Sequence, residues 1–203
     1  MPFSKRFFDI VVSALLLLIL TPVIALVAIL ILVLDGKPVF YLSERMHAPG
    51  VPFRLIKFRT MTVVEGDTGV SGGDKSQRVT RTGARLRQTR LDELPQLVNV
   101  LLGDMSLVGP RPPLRQYADR FPALYADVLR SSPGITGLAS LHYHRHEEML
   151  LGKCRDSAET DLVYCRDCIP RKARLDLIYQ AHQSLCFDVA IITRTVLHKL
   201  AGR

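Results

Sequence analysis

The chain is organised around residues 91–112, which read LDELPQLVNVLLGDMSLVGPRP. Within them, apolar residues recur at the three- and four-residue spacing of one helix face: Leu94, Leu97, Val98 and Leu101. Because Pro95 is tolerated in a helix only within the first turn, the pattern predicts a helix that starts at Asp92 and Glu93. The two carboxylates are then either simple capping groups or part of a site at a helix end that also attracts phosphate.

The same stretch ends in a rigid turn, Gly-Pro-Arg-Pro at residues 109–112. Two prolines restrict the backbone around Arg111, whose guanidinium is suited to bidentate contact with phosphate. Taken alone, the turn is also consistent with a rigid loop that carries a solvated arginine. Its combination with the two carboxylates and the basic segments described next favours a site for a phosphorylated ligand.

Basic residues precede the carboxylates without any acidic residue among them: Arg78, Arg81, Arg85, Arg87 and Arg90. Arg81 and Arg85 are four apart and share a helix face, which would contact lipid headgroups or a diphosphate. The net charge of +8 also suits nucleic acid. We rank nucleic acid behind the other partners, because it requires neither the two carboxylates nor the membrane segment of this chain.

Residues 38–61 alternate short apolar runs with basic residues and predict a strand or a hairpin. In an extended Lys57-Phe58-Arg59 segment, both cations would lie on one face and the phenylalanine on the other. Residues 65–77 contain four glycines between polar residues, and we expect a mobile loop.

The N-terminal region contains an uncharged run of 25 residues, Ile10 to Leu34. A straight helix of that length would rise about 37 Å, which is enough to cross a hydrocarbon core of about 30 Å. Pro22 divides the run into halves of only about 18 Å, and the hydroxyl of Thr21 could bond a carbonyl that the proline leaves free.

Basic residues flank the apolar run on both sides, so neither flank is typical of a translocated segment. We therefore predict a re-entrant membrane helix over residues 1–36, broken at Thr21-Pro22. Residues 37–203 would form a domain on the cytoplasmic membrane surface. The alternative is a kinked helix that crosses the membrane once. Four cysteines are too few for a secreted disulfide scaffold, which also favours a reducing compartment.

Residues 132–139 predict a turn followed by a short strand. We expect His142, His144 and His146 to share one face of a further strand. Together with Cys165 and Cys168 they suggest a zinc site, but a single C-x-x-C without a second pair supports it weakly.

Residues 159–169 predict a helix that ends at Pro170. The tail, residues 171–200, has apolar residues on helical periods with basic residues between them. This pattern is typical of amphipathic helices, which either lie on a membrane surface or pack on the domain. The expected fold is thus a mostly helical α/β domain with a small sheet or hairpin, associated with a membrane.

The whole chain resembles the minimal catalytic unit of the bacterial sugar transferase family, the monotopic phosphoglycosyl transferases. The matching motifs are KRFFD at 5–9, the proline-broken membrane run, PVFY at 38–41 with Glu44-Arg45, KFRTM at 57–61, RVTRTG at 78–83, LDELPQ at 91–96, SLVGPRP at 106–112 and PGITG at 133–137. The resemblance implies transfer of a sugar phosphate from a UDP-sugar to polyprenyl (undecaprenyl) phosphate, which yields a polyprenyl-diphosphate sugar and UMP. Such a reaction starts the synthesis of a glycoconjugate at the cytoplasmic face of the bacterial inner membrane.

The resemblance also implies roles for individual residues. Asp92 would be the nucleophile in a covalent route, and Glu93 would join it in binding Mg²⁺ or handling a proton. Arg87 matches an arginine near the lipid phosphate, and Arg111 matches one at the nucleotide side. The set of expected substrate-binding residues is Lys57, Arg59, Arg78, Arg87, Arg111 and Arg145.

The chain departs from the family pattern at Ser43, Ser140 and residues 142–145, near the expected sugar end of the site. The identity of the sugar is therefore open, as are the downstream pathway and the oligomeric state. Anionic membrane lipids are expected partners. Two rival interpretations are a membrane-anchored protein that binds lipid or nucleotide without catalysis, and direct transfer in one step with Asp92 and Glu93 only holding Mg²⁺.

Overall fold

The computed structural model describes residues 1–64, 70 and 72–200. Most of these residues are helical, and two small two-stranded sheets complete the fold. The elements in chain order are α1 (Phe3–Leu34), β1 (Phe40–Ala48), β2 (Val51–Phe58), α2 (Arg81–Thr89), α3 (Gln96–Leu102), β3 (Ser106–Val108), α4 (Arg115–Arg120), α5 (Pro122–Val128), β4 (Gly134–Thr136), α6 (Leu138–Leu151), α7 (Ser157–Val163), α8 (Ile169–Ala181) and α9 (Leu185–Leu200). Short 3₁₀ helices at Gly73–Arg78 and Leu91–Glu93, and a π-helix at Tyr164–Cys168, connect them.

The N-terminal apolar run forms helix α1, which has 32 residues and continues through Pro22. It is long and apolar enough to cross a membrane, and only 11% of its most apolar 18-residue window is buried, unlike a soluble protein's core helix. The Thr21 hydroxyl donates to the carbonyl of Leu17 at 2.6 Å, one residue before the carbonyl that lacks a partner because of Pro22. The assigned helix is therefore unbroken, and its reversal inside a bilayer stays a prediction.

The base of α1 is tied to the rest of the molecule through buried polar groups. The Lys5 ammonium donates to Asp188 at 2.6 Å and to the carbonyl of Val108 at 3.1 Å. The Tyr179 hydroxyl donates to the other carboxylate oxygen of Asp188 at 2.6 Å. These contacts join α1 to β3, α8 and α9. A further contact comes from Arg6, which donates to the carbonyls at the end of α3.

The predicted hairpin is confirmed: β1 and β2 pair antiparallel, with Phe40 opposite Phe58 and Tyr41 opposite Lys57. Phe58 is fully buried and stacks on Phe40 with ring centroids 5.2 Å apart. Lys57 and Arg59 both line the cavity described below. The strand pattern therefore separates the cations from the phenylalanine as expected.

The chain turns sharply between α2 and α3. Thr80 caps α2 by accepting from the backbone N–H of Gly83, and α2 ends at Arg90, which has a left-handed backbone with φ of 61°. A Cβ on Gly83 would overlap the carbonyl of Thr60, so this glycine allows α2 to pack directly against the end of the hairpin. The turn places Asp92 and Glu93 in the 3₁₀ helix immediately before α3, rather than within α3 as predicted.

The buried face of α3 differs from the predicted apolar face. Leu97 and Val100 are buried as expected of apolar residues, but Gln96 and Asn99 are buried too, whereas Val98 is exposed. The reason is a polar contact with β2. Asn99 accepts from the backbone N–H of Ile56 at 3.0 Å and donates to the carbonyl of Arg54 at 2.8 Å, so it completes the hydrogen bonding of the strand edge.

The turn at residues 109–112 is held by the second sheet, in which β3 pairs in parallel with β4. The backbone N–H of Gly134 donates to the carbonyl of Pro110, and that of Gly109 donates to Thr136. A Cβ on Gly109 would overlap the carbonyl of Ser132. The predicted strand after the Ser132-Pro133 turn is confirmed, and it fixes the position of the arginine-bearing turn.

Two predictions for the C-terminal half are wrong. The histidines of residues 142–146 lie in helix α6, which packs on α8 and buries Tyr143, and not in a strand. Pro170 lies in the first turn of α8 rather than ending a helix, because a first-turn proline sacrifices no helical hydrogen bond. Tertiary packing on α8 overrides the two-residue alternation of the histidines.

The remaining predictions of local structure have mixed outcomes. The residues described contain no group of three or more His, Cys, Asp or Glu side chains placed to hold a metal, and Cys154, Cys165, Cys168 and Cys186 are not joined in disulfides. The predicted tail helices are confirmed as α8 and α9. In the expected glycine-rich loop, residues 65–69 and 71 lie outside the described part of the chain.

Candidate active site

A cavity of about 820 Å³ lies between the hairpin, α2, the turn after β3, α6 and α8. Its volume is typical of sites that enclose a small-molecule ligand. The cavity brings together seven of the eight residues that the sequence singled out for catalysis or substrate binding. They are Lys57, Arg59, Arg78, Arg87, Asp92, Glu93 and Arg111.

Arg145 is the one predicted residue that the structure does not bring to the cavity. It lies on α6 and is exposed, whereas Ser140, His144, Glu147 and Glu148 of the same helix line the cavity. Those four follow the three- and four-residue spacing of a single helix face, from which Arg145 is rotated away. Because a strand was predicted for this segment, the shared helix face of these four residues was not recognised from the sequence.

Glu93 is buried and held by two arginines. Its Oε1 accepts from Nη1 of Arg90 at 2.9 Å and from Nη2 of Arg111 at 2.8 Å. Burial by itself raises the pKa of Glu93, but the charges of Arg111 and Arg90 outweigh burial and bring the pKa to about 2. Glu93 is therefore a permanently ionised carboxylate that orients both guanidiniums.

Asp92 is the less constrained carboxylate of the pair. It is also buried, and its Oδ1 has no hydrogen-bond partner in the described part of the chain. Burial and the charge of Glu93 raise its pKa, whereas the charges of Lys57, Arg90 and Arg111 oppose the rise. Because Oδ1 is fully buried, a ligand would meet this carboxylate through Oδ2, and a carboxylate that makes no hydrogen bond within the described residues is suited to act as a nucleophile or a metal ligand.

The cations around Asp92 are crowded enough to disfavour their own charged forms. Burial, followed by the charges of Arg45, Arg111 and Arg87, lowers the pKa of Lys57 to about 8. Burial and the charge of Arg111 lower the pKa of Arg45 to about 10. Such mutual repulsion is relieved when an anion enters, so this part of the cavity is suited to a phosphate or a diphosphate.

Two of the predicted cations also hold the protein together. The guanidinium of Arg59 donates through Nη2 to the carbonyls of Asp35 and Gly36, both at 2.6 Å, and so fixes the end of α1. Arg87 donates through Nε to the hydroxyl of Thr60 at 2.9 Å. Arg59 therefore has a structural role. In Arg87 only Nε is used in this contact, so the other guanidinium nitrogens can donate to a ligand.

A further part of the cavity lining, here called the α6–α8 wall, consists of Glu147, Tyr164, Lys172 and Asp176. Lys172 donates to Glu147 at 2.8 Å and to the Tyr164 hydroxyl at 3.4 Å. Asp176 is buried, and burial raises its pKa to about 7. The sequence reading missed this wall, because its residues are separated by up to 29 positions and belong to no local motif.

The carboxylates next to one another at positions 92 and 93 are the residues that could hold Mg²⁺. Oxygen donors suit this ion, which commonly binds to one or two carboxylates together with substrate phosphates and water. The Asp92 carboxylate, which makes no hydrogen bond within the described residues, fits such a role. Glu93 is less well suited, because its Oε1 already accepts two guanidinium hydrogen bonds.

Comparison with known proteins agrees with the site. A family model described as bacterial sugar transferase matches residues 1–202. The chain is 40% identical over 166 residues, 80% of its length, to a UDP-glucose:undecaprenyl-phosphate glucose-1-phosphate transferase of Klebsiella pneumoniae, of which it spans 36%. It is 36% identical over 95% of its length to a Caulobacter vibrioides protein of the same name, of which it spans 68%.

A third relative, from Bacillus subtilis, is an uncharacterized sugar transferase, EpsL. The chain is 45% identical to it over 193 residues, which cover 95% of the chain and 85% of the relative. Nearly the whole chain is therefore alignable both with the family model and with a relative of similar length. The chain belongs to the bacterial sugar transferase family.

Proposed function

We propose that this chain is a phosphoglycosyl transferase that moves a sugar phosphate from a UDP-sugar to polyprenyl phosphate and releases UMP. The observation that carries the proposal is the contrast within the carboxylate pair. Asp92 has a free, buried oxygen, and Glu93 clamps Arg90 and Arg111 beside it. Family membership and the names of the Klebsiella and Caulobacter relatives support the reaction class, and UDP-glucose is the first donor to test.

The first half of the proposed reaction takes place at Asp92. A carboxylate oxygen attacks the phosphorus that bears the sugar, a new carboxylate–phosphorus bond forms, and the bond to the bridging diphosphate oxygen breaks. UMP leaves with that oxygen and its electron pair. In the second half, a phosphate oxygen of the polyprenyl acceptor attacks the same phosphorus, which frees the Asp92 carboxylate and yields the polyprenyl-diphosphate sugar.

The cations of the cavity make attack by an anion on an anion feasible. Lys57, Arg87 and Arg111 surround the position that a diphosphate would take, and they offset the charge of both Asp92 and the phosphates. Arg111 is held in place by its 2.8 Å contact with Glu93. Because its Oε1 is engaged by two guanidiniums, Glu93 serves in this proposal to position them more than to move protons.

We also propose that Mg²⁺ is the cofactor, bound through Asp92 with or without Glu93 and completed by substrate phosphates. When bound, the ion would neutralise diphosphate charge and favour departure of UMP. The residues of the chain would fix the orientation of the substrate and exclude water from the cavity.

The proposed location is the cytoplasmic face of the bacterial inner membrane. Family membership and the largely exposed apolar helix α1 indicate membrane association. Arg81 and Arg85 are exposed on α2, where they could contact anionic lipid headgroups. In this arrangement α1 would anchor the domain re-entrantly, and the polyprenyl chain would remain in the bilayer while its phosphate enters the cavity.

Intact-protein mass spectrometry tests the proposal. The full chain in nanodiscs is incubated with Mg²⁺ and a panel of UDP-sugars that begins with UDP-glucose, without polyprenyl phosphate. We expect a mass gain of one sugar phosphate and release of UMP, both absent in Asp92→Asn. The amide is isosteric but not nucleophilic, so turnover with acceptor should fall by roughly 10⁴-fold or more, the loss of about 5.4 kcal/mol of transition-state stabilisation.

The other outcomes are equally informative. UMP release that requires acceptor and leaves no adduct would replace the covalent route with transfer in one step. Tight binding of UDP-sugar without any UMP release, in wild type as in Asp92→Asn, would show a non-catalytic binding protein and overturn the proposal.

A further inference from the structure

The charges that line the cavity are unevenly distributed, with most of the cations on the hairpin, α2 and the turn after β3. The hairpin, α2 and the turn after β3 contribute cations, among them Arg45, Lys57, Arg87 and Arg111. The α6–α8 wall contributes the carboxylates Glu147 and Asp176, and Lys172 donates to the first of these at 2.8 Å. A diphosphate is attracted to the cationic wall and repelled by the carboxylates, so the two walls suit different parts of one ligand.

Asp176 is the unusual member of the acidic wall. Its exposed fraction is only 6%, it lines the cavity, and its Oδ1 has no hydrogen-bond partner among the residues described. The neighbouring ammonium of Lys172 donates to Glu147 and to Tyr164. A buried carboxylate that makes no hydrogen bond within the described residues is costly, and a ligand that donates to its other, accessible oxygen reduces the cost.

Hydroxyl groups are the donors that fit this wall. Carboxylates repel phosphate, whereas neighbouring hydroxyls of a sugar donate to a carboxylate without bringing negative charge. Glu147 lies near enough to both Arg111 and Asp176 for its charge to act on each of them. Its charge adds to that of Glu93 in raising the pKa of Arg111, and adds to burial in raising the pKa of Asp176.

We infer that the α6–α8 wall binds the hydroxyl groups of a sugar ring of the nucleotide-sugar, with Asp176 as a direct hydrogen-bonding residue and Glu147 beside it. The inference rests on the proposed function and assigns a substrate-binding role to residues outside the motifs of the carboxylate pair. The ring is either the transferred sugar or the ribose, since both carry neighbouring hydroxyls and both are attached to the diphosphate.

Titration calorimetry on the full chain in nanodiscs with Mg²⁺ tests the inference. UDP-glucose, or whichever UDP-sugar gives the mass adduct, and UMP are titrated into the otherwise unchanged protein, Asp176→Asn and the control Asp119→Asn, all three also carrying Asp92→Asn so that the bound UDP-sugar does not react. Asp119 is exposed on α4 and does not line the cavity. At pH 8, where Asp176 with its pKa of about 7 is mostly ionised, we expect Asp176→Asn to bind the UDP-sugar roughly tenfold or more weakly, the usual loss for a hydrogen bond to a charged group.

The titration with UMP distinguishes the two rings, because UMP contains the ribose but not the transferred sugar. Unchanged UMP affinity together with weakened UDP-sugar affinity assigns the wall to the transferred sugar, and equal weakening of both assigns it to the ribose. Wild-type affinity of Asp176→Asn for both ligands overturns the inference. If Asp176→Asn fails to fold by circular dichroism, Glu147→Gln takes its place under the same criteria.

This failure is distinguishable from failure of the proposed function. If wild type forms the phosphosugar adduct and the wall variants bind like wild type, only the inference fails. If wild type neither binds any UDP-sugar nor forms an adduct, the proposed function fails and the inference fails with it.

Discussion

Two buried polar regions of this molecule differ in how their charges are satisfied. At the base of α1, Lys5 is matched by Asp188, and both carboxylate oxygens of Asp188 accept hydrogen bonds. In the cavity, Arg45, Lys57, Arg87 and other cations outnumber the ionised carboxylates next to them. In the first region, the Lys5–Asp188 pair is satisfied by groups of the protein itself and holds α1 to the domain. In the second region, an anionic ligand would balance the excess positive charge, as is typical of a binding site.

The largest effect expected from this comparison concerns stability and the base of α1. In Lys5→Met, Asp188 remains buried without its cation, so we expect the free energy of unfolding to fall by about 3–5 kcal/mol. Denaturant unfolding in a mild detergent measures the change, with Lys153→Met as the control because Lys153 is exposed. If the two variants were equally stable, the contact between Lys5 and Asp188 could not be what stabilises this region.

A smaller effect is expected at Glu93. Glu93→Gln keeps the size of the side chain but removes the charge that holds Arg90 and Arg111, both of which contact Oε1. We expect kcat/KM for the UDP-sugar to fall roughly 100-fold, or about 2.7 kcal/mol. Stability should fall as well, because the lowered pKa of Glu93 means that its ionised form stabilises the folded protein at neutral pH.

The control for Glu93 is Asp161→Asn, which disrupts a carboxylate–arginine contact of similar length, 2.7 Å to Arg120, on the exposed surface. Exposed pairs of this kind contribute little, so activity should stay at the wild-type level. If Glu93→Gln were as active as this control, the orientation of the two arginines could not be its role.

The smallest effect is a dependence on pH that arises from Lys57. Crowding and burial lower its pKa to about 8, so the side chain is charged below that pH and loses its charge above it. Because the charged form attracts the diphosphate, kcat/KM should fall about tenfold between roughly pH 7 and 9. Lys57→Arg retains its charge over this range and should move the fall to higher pH. An unchanged profile in Lys57→Arg would assign the titration to another group.

Local chemistry made part of this fold predictable. The apolar run, the hairpin around Lys57 and the turn that carries Arg111 follow from composition, alternation and proline content, and the structure contains all three. The predictions that failed depended on distant contacts. Asn99 is buried because β2 offers it two backbone partners, and residues 142–146 are helical because α6 packs on α8.

The candidate site divides in the same way. The pairing of Asp92 with Glu93 and the clustering of arginines before them are visible in the sequence, because neighbours along the chain remain neighbours in space. The α6–α8 wall is not visible, because Glu147, Lys172 and Asp176 come together only when α6 and α8 pack. The different roles of the two carboxylates were equally hidden, since they depend on which one Arg111 reaches.

The sequence by itself determined the class of this protein: a long apolar N-terminal segment, a cationic domain and two adjacent carboxylates for phosphate chemistry. Only the tertiary structure decided that Glu93 is clamped while Asp92 keeps a free oxygen, that Arg145 lies away from the cavity, and that Asp176 lies within it. The physical reason is that charge, hydropathy and backbone stiffness are properties of single residues and short segments. Burial and hydrogen bonding across the cavity depend on elements that are far apart in the chain and meet only in the fold.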